Sequence, residues 1–156
     1  MKVKDYILVG LPVVVGVLLT SLVLLLVKIS IGEVAPLKAI VDVLQSQFSS
    51  SRNLFVIALF NALPFLALSF VLKSYTGKSS SNLNWFRAAV CLVAMIIPFC
   101  WMHLQIWGPV YRQEGNSSAE LGFLLTPIYC TVALVIALSL FNAMFRLYLL
   151  RKLHTI

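Results

Sequence analysis

The sequence predicts an all-α membrane protein that crosses the bilayer four times, as two helical hairpins. Three observations lead there. Of 156 residues, 61% are hydrophobic and only 11% charged, and the mean hydropathy of +0.99 lies well above that of a water-soluble globule. Four stretches, 6–27, 54–72, 88–107 and 124–145, contain no Asp, Glu, Lys or Arg. Each has about the 20 residues that a helix needs to cross a hydrocarbon core of about 30 Å. Finally, the segments between the stretches divide the charges unevenly, as loops on opposite sides of a membrane do.

The first stretch follows Lys2 and Lys4, a start that signal peptides share. Its length exceeds a usual signal core and no small-x-small cleavage site follows, so it is read as a retained helix. After it come Ile31, Gly32, Glu33 and Pro36, and a proline can open a helix because the first turn needs no N–H there. Leu37, Ile40, Val41, Leu44 and Phe48 then recur at helical spacing, with Lys38, Asp42, Gln45 and Ser46 opposite. Segment 37–48 is thus expected to be a short amphipathic helix, lying in the interface or capping the bundle.

Stretch 54–72 carries Asn61, three residues before Pro64. The polar segment 73–84 after it is too short to fold alone. Stretch 88–107 ends at Gly108 and Pro109, and 112–115 follows, both read as turns. The triplet Asn116, Ser117, Ser118 is a glycosylation sequon that matters only in a eukaryotic secretory pathway. Stretch 124–145 gives way to a basic, partly helical tail. Each stretch holds one proline, Pro12, Pro64, Pro98 or Pro127, and a kink is expected at each.

On one side lie Lys2, Lys4, Lys73, Lys78, Arg87, Arg146, Arg151 and Lys152 against the single acid Asp5, a net charge of +7. On the other, Lys28, Lys38, Arg52 and Arg112 are balanced by Glu33, Asp42, Glu114 and Glu120. The positive-inside rule assigns the first side, with both termini, to the cytoplasm. Basic residues at headgroup depth contact anionic lipid or a cytosolic partner rather than nucleic acid. Tyr6, Trp85, Trp107 and Tyr148 stand at helix ends, where interfacial aromatics belong.

Polar groups inside lipid cost free energy unless paired, so they are the first candidates for chemistry. Asn61 is expected to bond across to another helix or to the carbonyl that Pro64 leaves free. His103 lies near the far end of the third stretch and is expected to be a hydrogen-bonded interfacial residue. A metal would need further ligands at that depth, and His154 lies on the other side, so no metal or other cofactor is expected. Cys91, Cys100 and Cys130 form no C-x-x-C pair. Cys100 and Cys130 both fall about 10 Å below the outer surface. That leaves two readings, neighbouring thiols able to bridge in an oxidising compartment, or buried apolar fillers. Small residues four apart, Gly16 with Thr20 and Ala133 with Ala137, allow close helix approach.

No paired carboxylates and no nucleophile with its base assemble, so no catalysis is expected. A coupled transporter would want a buried acid, and the stretches have none. Two readings remain: a non-enzymatic scaffold or sensor that holds a cytosolic partner, and a small pore-forming or immunity-type protein. The layout of helices over 6–27, 54–72, 88–107 and 124–145, with an external amphipathic segment and little soluble mass, resembles the membrane subunit of the bacterial Kiwa anti-phage system. That resemblance, of layout along the whole chain, implies a homo-oligomer, a tetramer. It would sit in the inner membrane, sense phage-induced envelope disturbance and bind a cytosolic effector acting on phage DNA, with 73–84 and 146–156 as docking surfaces.

Overall fold

A computed structural model describes residues 3–31, 34–47, 54–76, 78, 80–111 and 119–154. Among them the regular structure is helical throughout, and no strand occurs: α1 Val3–Ser30, α2 Pro36–Ser46, α3 Leu54–Asn61, α4 Leu63–Tyr75, α5 Ser81–Tyr111 and α6 Ala119–His154. Four spans are long and apolar enough to cross a membrane, Val3–Ser30, Leu54–Tyr75, Asn82–Pro109 and Gly122–Tyr148. An even number of crossings puts both ends of the chain on one side, the terminal side. The α2 helix belongs to the far side.

The helices overrun the charge-free stretches. A backbone entering the headgroup region still needs partners for its N–H and C=O groups, and further helical turns supply them. Lys28 and Lys73 fall in the last turns of α1 and α4, where a cation complements the helix dipole. Gly108 and Pro109, read as a turn, lie instead inside α5. The polar linker is shorter than the sequence indicates, since α4 reaches Tyr75 and α5 starts at Ser81. There the Leu83 N–H donates to Ser80 Oγ at 3.4 Å, the contact of a serine cap.

The prolines are not equivalent. α1, α5 and α6 are continuous through Pro12, Pro98 and Pro127. The second span is interrupted, with α3 ending at Asn61 and α4 starting at Leu63. Pro64 has no N–H for the Phe60 carbonyl, and the Ala62 N–H is shared between the carbonyls of Ala58 at 3.0 Å and Leu59 at 3.2 Å, a local tightening of the coil.

Between lipid-solvated helices there is little hydrophobic driving force, so close packing and hydrogen bonds must hold the bundle. The second span lies along α1, and α5 pairs with α6. The tightest point is Gly16 of α1. A Cβ placed there would stand 2.8 Å from Cγ and Cδ2 of Phe65 and 2.9 Å from its Cβ. Phe65 is fully buried and meets Phe99 edge-on, the centroids 6.0 Å apart at 75°. On the other hairpin Gly122 leaves room for Ile106, whose Cγ1 would lie 2.5 Å from an added Cβ.

Gly16→Leu therefore has nowhere to go, because the Phe65 Cβ cannot rotate away. Overpacking of this kind costs about 1–3 kcal/mol. Thermal unfolding in detergent is expected to show a lowered Tm for Gly16→Leu. Gly10→Ala, with nothing within 4 Å of the added methyl, should leave it unchanged or raise it. Equal losses from both would contradict the packing described.

Candidate functional site

Each span contributes one polar side chain with no solvent exposure: Thr20 from α1, Asn61 from α3, His103 from α5 and Thr126 from α6. Gly16 faces Phe65 in an antiparallel pair. Thr20, one turn further, is therefore level with Asn61, one turn back. Asn61 Nδ2 lies 3.3 Å from His103 Nε2. The His103 ring meets Phe123 edge-on at 6.1 Å, three residues from Thr126.

The hydrogen bonds fix the histidine's tautomer. His103 Nδ1 lies 3.1 Å from the Phe99 carbonyl, which can only accept, so the proton sits on Nδ1. Nε2 then offers a lone pair to the Asn61 amide. Beneath the imidazole the Phe99 ring stacks at 4.2 Å and 9°. The Thr126 hydroxyl donates to the Gly122 carbonyl at 2.9 Å. Among the described residues, Thr20 Oγ1, Asn61 Oδ1 and Trp107 Nε1 are buried with no hydrogen-bond partner.

Two expectations change here. His103 is a core residue rather than an interfacial one. Trp107 is only 5% exposed and packs edge-on against Phe123 at 5.3 Å. The cause is the length of α5, which continues to Tyr111 and carries the interface outward past both rings. Tyr6 and Tyr148 are exposed, and Trp85 is half-buried. Among the described residues no group of three His, Cys, Asp or Glu comes together. Among the described residues the layer holds donors and acceptors but no carboxylate, which suits it to orienting helices.

On the terminal side Lys73, Lys78, Arg146 and Arg151 are exposed, and the side chain of Lys152 lies outside the described residues. Arg87, grouped with them on charge alone, is instead 3% exposed. Its Nη1 donates to Asn84 Oδ1 at 3.1 Å, and its Cζ lies 3.8 Å from the centroid of Tyr75 and 4.9 Å from that of Phe141. A guanidinium is weakly hydrated and stacks on aromatic faces, which makes its burial bearable. Arg87 thereby ties the ends of α4, α5 and α6 together rather than facing a partner.

On the far side α2 doubles back over α1. Asp42 reaches Lys28 at 3.4 Å, and Gln47 Nε2 donates to Ser21 Oγ at 3.0 Å. Ala39 and Val43 are buried beneath it. Leu37, Ile40, Val41 and Leu44 all point away from the bundle, and Phe48 lies outside the described residues. α2 thus packs on α1 through Ala39 and Val43 and leaves the apolar face expected from the sequence exposed. Ala137 is buried and Ala133 half-buried, both beside α5. The three cysteines are free; Cys130 packs on α5 with Sγ 3.5 Å from the Met95 carbonyl, five residues from Cys100.

A double-mutant cycle on Asn61→Leu and His103→Phe measures the central bond. A coupling of about 0.6 kcal/mol, and no more than about 1.7 kcal/mol, is expected for such a pair in a membrane. Nitrogen NMR of the wild type should show a neutral imidazole protonated at Nδ1, and Asn61→Leu should shift the Nε2 resonance. Strict additivity of the two substitutions would sink the assignment. Comparison of the chain with protein-family models, with curated proteins and with solved structures gives no match.

Proposed function

We propose that the protein is a non-enzymatic scaffold of the bacterial inner membrane that oligomerises and recruits a cytosolic protein to its terminal side. The observation that carries this reading is the projection of α6. Its 36 residues make a rod of about 54 Å, longer than a hydrocarbon core of about 30 Å. Part of the excess, residues 149–154 or about 9 Å, continues past the end of the span at Tyr148 as a helical arm to His154. Arg151 is exposed on this arm and Arg146 just before it, inside the end of the span; exposed Lys73 joins them from the last turn of α4 and Lys78 from the linker. The positive-inside rule puts this surface in the cytoplasm, where it suits an acidic protein face. The Kiwa-like layout gives the reading its setting, anti-phage defence, with an effector acting on phage DNA as the partner.

Affinity capture of the tagged full chain in mild detergent tests it. The expected result is an oligomer carrying a cytosolic protein. The doubly charge-reversed variant Arg146→Glu, Arg151→Glu should lose about tenfold of that companion, as like charges oppose docking, while keeping its oligomeric size. A monomer with no companion overturns the reading.

The buried polar layer favours a second reading, a small conductance. Liposomes holding the purified protein would then pass ions, and Asn61→Leu would alter the current. Vesicles that stay tight across applied voltages remove it.

A further inference from the structure

The α5–α6 hairpin carries two aromatic side chains with polar atoms on its outer surface, deep within the bilayer. Trp101 is 63% exposed and Tyr129 49%. Contacts across the hairpin set their depth: Cys130 Sγ meets the Met95 carbonyl, and the Phe123 ring meets His103. Tyr129, beside Cys130, is therefore level with the first turn after Met95, and Trp101 lies about one turn nearer the far side, two residues before His103. The charge-free stretch of α5 runs on to Trp107, about 9 Å past Trp101. In a hydrocarbon core of about 30 Å, both α-carbons stand well inside.

Interfacial aromatics reach the headgroups with their polar tips, and these two do not stand where they could. Side chains of a helix lean toward its N-terminus. Because α5 runs outward, the Trp101 indole leans toward the middle of the bilayer, away from the nearer headgroups. Because α6 runs inward, the Tyr129 ring leans outward, to the depth of Trp101. Among the described residues neither the indole N–H nor the phenol hydroxyl has a hydrogen-bond partner, and acyl chains offer none. Both rings face the same way. Helical spacing puts Trp101 on the stripe of Val90 and Ala94 and Tyr129 on that of Ala133 and Ala137, and these four line one groove between the two helices.

We infer that this face is a contact between two copies of the chain, related by a two-fold axis along the membrane normal, in which each Trp101 indole donates to the Tyr129 hydroxyl of the other copy. An indole N–H can only donate, whereas a phenol oxygen accepts, so every copy holds both halves of the bond at one depth. The two-fold axis brings each half to its complement and closes the assembly. A foreign helix would have to supply an acceptor and a donor of its own at that same depth. Ala133 and Ala137, small residues four apart on this face, let the two α6 helices approach closely. The contact rests on the scaffold reading, to whose oligomer it gives a surface.

The test is Förster transfer between donor-labelled and acceptor-labelled copies of the full chain in vesicles of phosphatidylethanolamine and phosphatidylglycerol, diluted stepwise with lipid. For the wild type, transfer should fall with dilution as a two-chain equilibrium requires. Trp101→Phe and Tyr129→Phe keep an aromatic ring and remove the polar atom. Either should weaken association about tenfold, since the axis repeats the lost bond. Combining them should cost no more than one alone, because each already removes both bonds. Leu18→Phe, on the exposed face of α1, should change nothing. An oligomer that the Trp101 and Tyr129 variants leave unweakened, or losses that add in the double variant, would overturn the proposal and leave the scaffold reading standing. Wild-type copies that never exchange energy would overturn both.

Discussion

Phe65 seated in the gap left by Gly16 is the contact on which the arrangement of the bundle depends. In lipid, apolar side chains gain little by meeting each other rather than acyl tails, so the helices must gain from close fit. With its Cβ inside normal contact distance of where a Gly16 Cβ would stand, Phe65 holds α1 against α4. Its ring then meets Phe99, Phe99 stacks under His103, and His103 holds Asn61 and borders Phe123. One chain of contacts thereby reaches all four spans. The polar layer is positioned by this aromatic packing and adds direction to it, since a hydrogen bond fixes orientation where dispersion does not.

The four crossings were legible because lipid imposes a constraint that composition alone can meet, about 20 residues without charge. The period of α2 was legible for a related reason, since Leu37, Ile40, Val41 and Leu44 stand out only in a segment that also carries Lys38 and Asp42. What the sequence hid is which side of each span meets protein. Residues in 6–27 or 88–107 are apolar on every face, so nothing marks Leu8 as core and Ile7 as lipid-facing, or Phe99 as buried and Trp101 as exposed. Trp107 and Arg87 misled for the same reason: an aromatic or a cation near a helix end has the interfacial address whether it points to lipid or into the bundle.

The prolines show the limit most plainly. Pro12, Pro64, Pro98 and Pro127 look alike along the chain, each a missing donor inside an apolar run. Only the second span is divided in two, and it is divided beside Asn61, whose amide is engaged across the bundle by His103. Asn61 was a visible candidate. Its partner was not, because His103 lies 42 positions away and sequence spacing carries no information across a hairpin.

The interruption at Ala62 also makes the bundle mechanically uneven. Three spans are continuous rods, which meet a thinner or thicker bilayer by tilting as whole bodies. The divided span has a joint near its middle, where Pro64 supplies no N–H and the Ala62 N–H is shared between two carbonyls, a local change of helical winding at which helices bend. The residue bordering it is the one that grips the opposite helix, so the least regular point of that span and its hydrogen bond to α5 lie at one depth in the bundle.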